Sequence, residues 1–363
     1  MLTVSIAVIG PGVVGSALVR QIFLQTDNLC QILRSKVKLV SLANSKTMHH
    51  DQNGISSATW REDLTQKGVP VDLEVLGKQL QEGNQHGCCI VVDCTAHEAA
   101  PDLYTRFAKR GIHVVTPNKK FGAGPLERIR AFRAAAQESG SQFFGEATVG
   151  AGLPVMSTLR SLIETGDKVI RVQGILSGTL SYIFNTYNTG AAFSDVVTSA
   201  KEKGFTEPDP REDLSGLDVS RKVVILARQC GLETDLSQLK VESLVPEQLA
   251  SSQTSVEEFM QKLPEYDEQM AQRATVAESQ GEVIRYVGSV DLENRTCSVQ
   301  LVSVPREHPF AQLSGTDNLI TFTTQRYPSK TPLVVRGPGA GAEVTAAGIF
   351  SDIIQVIRTH RNY

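Results

Sequence analysis

Apolar positions follow two rhythms along this chain. Over residues 1–150, short apolar runs of strand length alternate with longer stretches of helical spacing. LTVSIAVIG (2–10), KVKLVSLA (36–43), CIVVDCT (89–95) and HVVTPNK (113–119) read as buried strands, and SQFFGEATVG (141–150) closes the series. Between them VVGSALVRQIFLQ (13–25), EAAPDLYTRFAKRG (98–111) and GPLERIRAFRAAAQESG (124–140) place apolar residues on one helical face. Such alternation predicts a doubly wound parallel sheet with helices on both faces, the α/β class. Residues 52–84 are polar and read as an irregular surface insertion.

After residue 150 the rhythm changes. LPVMSTLRSLIETG and TLSYIFNTYN are helical around the strand KVIRVQGILSG. The charged stretch 255–281 reads as exposed helix. VIRYVGSV, CSVQLVSV, LITFTT and PLVVRG follow as β-rich runs, predicting an α+β region with a mixed or antiparallel sheet. GPGAGAEVTAAGIFSDIIQVIRTH ends the chain with a glycine turn opening an apolar helix.

The 363 residues are 41% hydrophobic with net charge −3, ordinary globular composition without the basic face that nucleic acid requires. No apolar run reaches the ~18 residues of a membrane span, and the opening run lacks the charged flank and cleavage site of a leader. The cytoplasm is the expected location. The six cysteines (30, 88, 89, 94, 230, 297) form no Cys-x-x-Cys pair and read as packed free thiols.

Three segments carry chemistry. Gly10-Pro-Gly12-Val13-Val14-Gly15 follows the first strand and opens the first helix, the context in which such a loop cradles a pyrophosphate. The second strand ends in Asn44-Ser45-Lys46 rather than the acid that favours NAD, so NADP is the expected preference. Thr95 and the turn Thr116-Pro-Asn-Lys119-Lys120 lie at strand carboxyl ends, where α/β sheets bind ligands. Of the two adjacent lysines, Lys119 is the one expected to face the site. Thr95 serves equally as a helix cap, and surface lysines in a loop are the competing reading of the turn.

The densest signal is GFTEPDPREDLSGLDVSRK (204–222), five carboxylates and three cations running straight into the apolar VVILA. Asp218 and Lys222 are four apart and share a helix face. Glu207 precedes two prolines that stiffen its backbone. These groups suit a zwitterion: Glu207 and Asp218 for an ammonium, Lys222 for an oxygen taking a proton. A surface salt bridge explains the pair as well. The turn at 174–182 can bind a carboxylate at a helix start or simply cap that helix.

Together GPGVVGSALVRQ, TPNKK, GEATVGAGLPV, GILSGTLSYIFN, GFTEPDPREDLSGLDVSRK and GAGAEVTAAG resemble homoserine dehydrogenase over nearly the whole chain, in its short, monofunctional form. The resemblance implies NAD(P)-dependent interconversion of L-aspartate 4-semialdehyde and L-homoserine, on the route to threonine and methionine. It implies that Lys222 donates the proton and that Glu207 and Asp218 hold the substrate. Lys119 would stand by nicotinamide and substrate, and Val13, Val14, Thr95 and Gly341 would join Gly10, Gly12 and Gly15 around the cofactor. It also implies a monovalent cation such as sodium at Glu146, Val149, Ala151 and Leu153, largely through backbone carbonyls. Pro11 departs from the smaller residue usual there.

On this basis a Rossmann-type domain covers 1–145 and 342–363, and a catalytic region covers 154–286. Residues 146–153 and 287–341 form a dimerisation region, implying a homodimer. Rival readings are a related semialdehyde or dipicolinate-pathway reductase, an aspartate-semialdehyde dehydrogenase lacking a well-placed cysteine, and a non-catalytic NADP-binding sensor.

Overall fold

The aliphatic runs of the first part become strands of one seven-stranded sheet. In chain order the elements are β1 (Leu2–Ile9), α1 (Val13–Leu33), β2 (Ser35–Ala43), β3 (Thr47–His50), α2 (Trp60–Gln66), β4 (Val69–Pro70), α3 (Leu73–Glu82), β5 (Cys88–Asp93), α4 (Tyr104–Lys109), β6 (His113–Val115), α5 (Lys119–Gly122), α6 (Leu126–Ser139) and β7 (Phe143–Phe144). The sheet order is β4-β3-β2-β1-β5-β6-β7. It is parallel from β2 to β7, with β3 and β4 added antiparallel at one edge. The computed structural model describes residues 1–188 and 190–360, and these form two compact units, Met1–Pro154 with the described residues from Ala340 onward, and Val155–Gly339.

Because β1 and β5 are apolar on both faces, each side of the sheet carries its own core. Val4, Ile6 and Val8 pack with Leu18 and Ile22 on one side, while Ala7, Ile9 and Val91 pack with Tyr104, Phe107 and Phe132 on the other. Doubly buried strands of this kind are the mark of a parallel sheet covered by helices.

Residues 52–84 are not an irregular insertion. They contain α2 and α3, with Trp60 and Leu64 buried in one core and Leu76 and Leu80 in the other. Their apolar residues recur at i, i+3 and i+4, but so sparsely among charges that composition hides the period. Asp72 caps α3 by accepting from the amides of Glu74 and Val75.

The second unit runs α7 (Val155–Glu164), β8 (Val169–Ile175), α8 (Gly178–Thr186), α9 (Phe193–Glu202), α10 (Pro210–Leu214), α11 (Leu217–Gln229), β9 (Lys240–Val241), α12 (Val256–Lys262), α13 (Asp267–Ser279), β10 (Glu282–Asp291), β11 (Thr296–Pro305), β12 (Asp317–Thr324) and β13 (Leu333–Pro338). Its sheet order is β13-β12-β8-β10-β11-β9, antiparallel except where β9 joins β11. The expected boundary at 286–287 falls inside β10. Stretch 255–281 is two helices rather than one, interrupted at Leu263–Tyr266, and Phe259 and Leu263 are buried. The last helix, α14 (Ala342–His360), belongs to the first unit and lays Ala346, Ile349, Ile353, Val356 and Ile357 into its core.

Candidate functional site

At the carboxyl end of β1 the three loop glycines have separate reasons to be glycine. Gly10 has φ +81°, and a methyl there would meet Thr95 Cγ2 at 2.8 Å. At Gly15 a methyl would lie 2.3 Å from the Gly10 carbonyl oxygen, so only glycine lets α1 start this close to β1. A methyl at Gly12 would touch nothing within 4 Å. Packing therefore leaves Gly12 unexplained, whereas a ligand seated on the loop requires open backbone there. Gly12 and Val13 are exposed and Val14 is half-buried, so the α1 N-terminus is open to solvent. A helix start with free amides suits a phosphate. Gly341, with φ +120°, is exposed just before α14.

Asn44 Oδ1 accepts from the amides of Lys46 and Thr47, both at 2.7 Å, and so shapes the β2–β3 turn that leaves Lys46 exposed. A cleft of about 620 Å³ beside α1 is lined by Val13, Ser16, Arg20, Trp60 and Arg61 among others, with Arg61 stacked 4.2 Å over the Trp60 ring.

Thr95 and the lysine turn are joined by a buried network that the sequence did not reveal. Asp93 accepts from the Thr95 amide (2.8 Å), the Tyr104 hydroxyl (2.5 Å) and Asn118 Nδ2 (3.0 Å). Thr116 Oγ1 donates to the Asp93 carbonyl at 2.7 Å and accepts the Asn118 amide at 2.9 Å. Asn118 then caps α5 by accepting from the Lys120 amide, which fixes Lys119 as the first residue of that helix. Lys120 reaches Glu98 at 4.0 Å. The one available signal was an acid ending a wholly apolar strand.

In the second unit, α11 begins at Gly216, whose φ is +71° and where a methyl would strike the Tyr286 hydroxyl at 2.1 Å. One turn in, Lys222 is 8% exposed. Its Nζ donates to the Leu176 carbonyl and pairs with Asp218 Oδ2, each at 2.7 Å. The pair is thus no ordinary surface bridge: the lysine is sunk into the unit, while the aspartate stays 45% exposed. Asp213 Oδ2 accepts the Glu207 amide at 2.8 Å and steadies that loop. Partial burial, and then Asp213, Glu212 and Asp218, push the Glu207 carboxyl above its usual range. Burial likewise raises Asp213. Carboxylates crowded this way are relieved by a cation, which suits a substrate ammonium.

Asp209 and Arg211 do other work. Asp209 caps α10, and Arg211 binds it while reaching the carbonyls of Leu249, Ser251 and Thr254. Ser177 caps α8 through the Leu180 amide at 3.2 Å, which accounts for the polar turn at 174–182.

Glu146, Val149, Ala151 and Leu153 are all buried in one turn of the first unit. Gly150 (φ +78°) and Ala151 (φ +54°) adopt the left-handed conformation in succession, and Asp352 accepts the Glu146 amide at 2.7 Å. A tight turn of oxygen donors next to a buried acid fits a hard cation.

Cys88, His113 and His360 also come within metal-ligating reach. The Gln142 amide, however, donates to His113 Nδ1 at 3.1 Å. The proton of neutral His113 is therefore on Nε2, which faces His360 Nδ1 at 3.0 Å. Nε2 is thus a donor to His360 and has no lone pair for a metal.

Comparison with known proteins points to one family. The family model described as homoserine dehydrogenase matches residues 154–354, and the model for its NAD-binding domain matches 10–146. The chloroplastic bifunctional aspartokinase/homoserine dehydrogenase 2 of Zea mays is 50% identical over 354 residues, covering 98% of this chain and 38% of that protein. The chain thus spans about two fifths of the length of such bifunctional relatives. A homoserine dehydrogenase of Schizosaccharomyces pombe is 40% identical over 98% of this chain and 95% of its own length. A crystal structure of a Candida auris protein of unknown function superposes with a TM-score of 0.90 at 39% identity, covering 99% of both chains.

Proposed function

The chain belongs to the homoserine dehydrogenase family, and on that premise we propose that it interconverts L-aspartate 4-semialdehyde and L-homoserine with NAD(P). The observation that carries the reading is the buried Lys222, paired with Asp218 beside the crowded Glu207. Glu207 and Asp218 hold the substrate ammonium. Lys222, oriented by Asp218 and the Leu176 carbonyl, gives its proton to the oxygen of the C4 carbonyl as that oxygen gains charge. In the reverse direction the same nitrogen takes the hydroxyl proton. Bound NAD(P)H supplies the hydride to C4. The amides at the start of α1 would hold its pyrophosphate over Gly12, and Thr95 and Lys119, which follow β5 and β6, would meet its nicotinamide half.

NADP is the preferred form: no acid stands at the end of β2, and Lys46 and Arg61 are available for a 2′-phosphate. A monovalent cation such as sodium sits at Glu146, Val149, Ala151 and Leu153, where it fixes the turn before Pro154. The protein is a homodimer; the edge strand β13, with Val334 39% exposed, suits cover by a second copy.

One spectrophotometric experiment tests the reading. With homoserine and NADP, absorbance at 340 nm (the reduced-nicotinamide band) rises. Dinucleotide binding without homoserine-dependent reduction would leave a binding module instead of an enzyme.

A further inference from the structure

Asp93 is the last residue of β5 and is fully buried. It lies opposite Ile9 in the β1–β5 pairing, one residue before the glycine loop. The residue two further on, Thr95, is the one a methyl on Gly10 would strike. Its three partners, the Thr95 amide, the Tyr104 hydroxyl and Asn118 Nδ2, are all donors and none is cationic. Hydrogen bonds from neutral donors leave a carboxylate's full negative charge in place. In open parallel sheets the dinucleotide lies across the strands' carboxyl ends, adenosine toward the second strand and nicotinamide toward the other half. Here that other half is β5 and β6.

We infer that the Asp93 carboxylate selects the redox state of the cofactor: buried beneath the β5–β6 edge, its charge favours the cationic ring of NAD(P)⁺ over the neutral ring of NAD(P)H. The inference rests on the dinucleotide reading given above. A charge inside a protein is weakly screened, and at a separation of about 8 Å it biases a cation by roughly tenfold or more. Asp93 acts through space and through the turns it holds, without touching substrate. Burial pushes its pKa up while the Tyr104, Thr95 and Asn118 donors pull it down.

The test is a ratio of affinities. Dissociation constants for NAD⁺ and NADH, and for NADP⁺ and NADPH, are measured calorimetrically at pH 8 on the full chain and on Asp93→Asn. The oxidised-to-reduced Kd ratio should rise about tenfold in Asp93→Asn. A purely structural role weakens both forms alike, and an unmoved ratio overturns the inference. Tyr104→Phe strips one donor but keeps the charge, and should hold the ratio within about threefold. A shift as large as that of Asp93→Asn would assign the effect to geometry and also overturn it.

If Asp93→Asn does not fold, the ratio is followed from pH 4.5 to 8 in His97→Gln. The groups around this turn are Cys94, His97, Glu98, Tyr104, Lys119 and Lys120. Burial raises Cys94 and Tyr104 further above this range, and His97→Gln removes the imidazole. The preference for the oxidised form is present above the raised pKa of Asp93 and lost as pH falls through it. A flat ratio overturns the inference. Failure of the unmodified chain to bind any dinucleotide would instead refute the proposed function.

Discussion

Lys222 shows how much one burial can decide. As an exposed i, i+4 pair with Asp218 it would contribute only ~0.3–0.5 kcal/mol and little else. Sunk into the unit with a carbonyl and a carboxylate on its nitrogen, it is held in one place, as the proposed proton transfer requires. Lys222→Ala should lower kcat by ~10²–10⁴-fold, with the fold checked by circular dichroism. Turnover near that of the parent would remove Lys222 from the mechanism. Glu207→Ala should chiefly raise the KM for homoserine, leaving kcat within a few-fold. The same carboxyl predicts a pH dependence. Its raised pKa means that its charge is present above that pKa and lost as pH falls through it. The homoserine KM of the unmodified chain should therefore climb on acidification, and less so in Glu207→Ala; parallel profiles would count against the role.

At the scale of elements, α14 is tied down at its end by a histidine pair. His113, 1% exposed, has its pKa pushed down to about 4 by burial and by His360, against an ordinary 6.5. Between those values the unfolded chain binds a proton that the folded one refuses, so stability falls as pH drops from 6.5 toward 4. The loss from this group is roughly 3 kcal/mol. Urea midpoints at pH 7 and 4.5 should differ by less in His113→Gln than in the parent. Equal differences would place the acid sensitivity in the carboxylates.

Much at this scale was legible in the sequence. The strands β1, β2, β5 and β6 announced themselves because burial on both faces writes continuous apolar runs, and the glycine loop because its setting is local. The helices α2 and α3 were not legible, since one apolar residue per turn among charges carries little periodic signal. The Asp93 network was hidden for another reason. Its members are scattered over 26 residues, from Asp93 to Asn118, and only the fold brings them together. The task of Asp213, accepting the Glu207 amide from six residues upstream, depends on how the loop folds and leaves no spacing signal in the sequence.

For the molecule as a whole, the expected species is a dimer. Light scattering on the purified chain should give about twice 39.4 kDa, and a mass of one chain at micromolar concentration would refute it.

The helix α14 has one more consequence, for the order of synthesis. The first unit is built from both ends of the chain, whereas Val155–Gly339 is continuous. A ribosome therefore delivers β1 through β7 long before Ile349, Ile353 and Val356 exist to cover them. At ~5–20 residues per second the interval is roughly 10–40 s. Through that time the nascent cofactor unit has a naked apolar face, while the unit emerging behind it can already close.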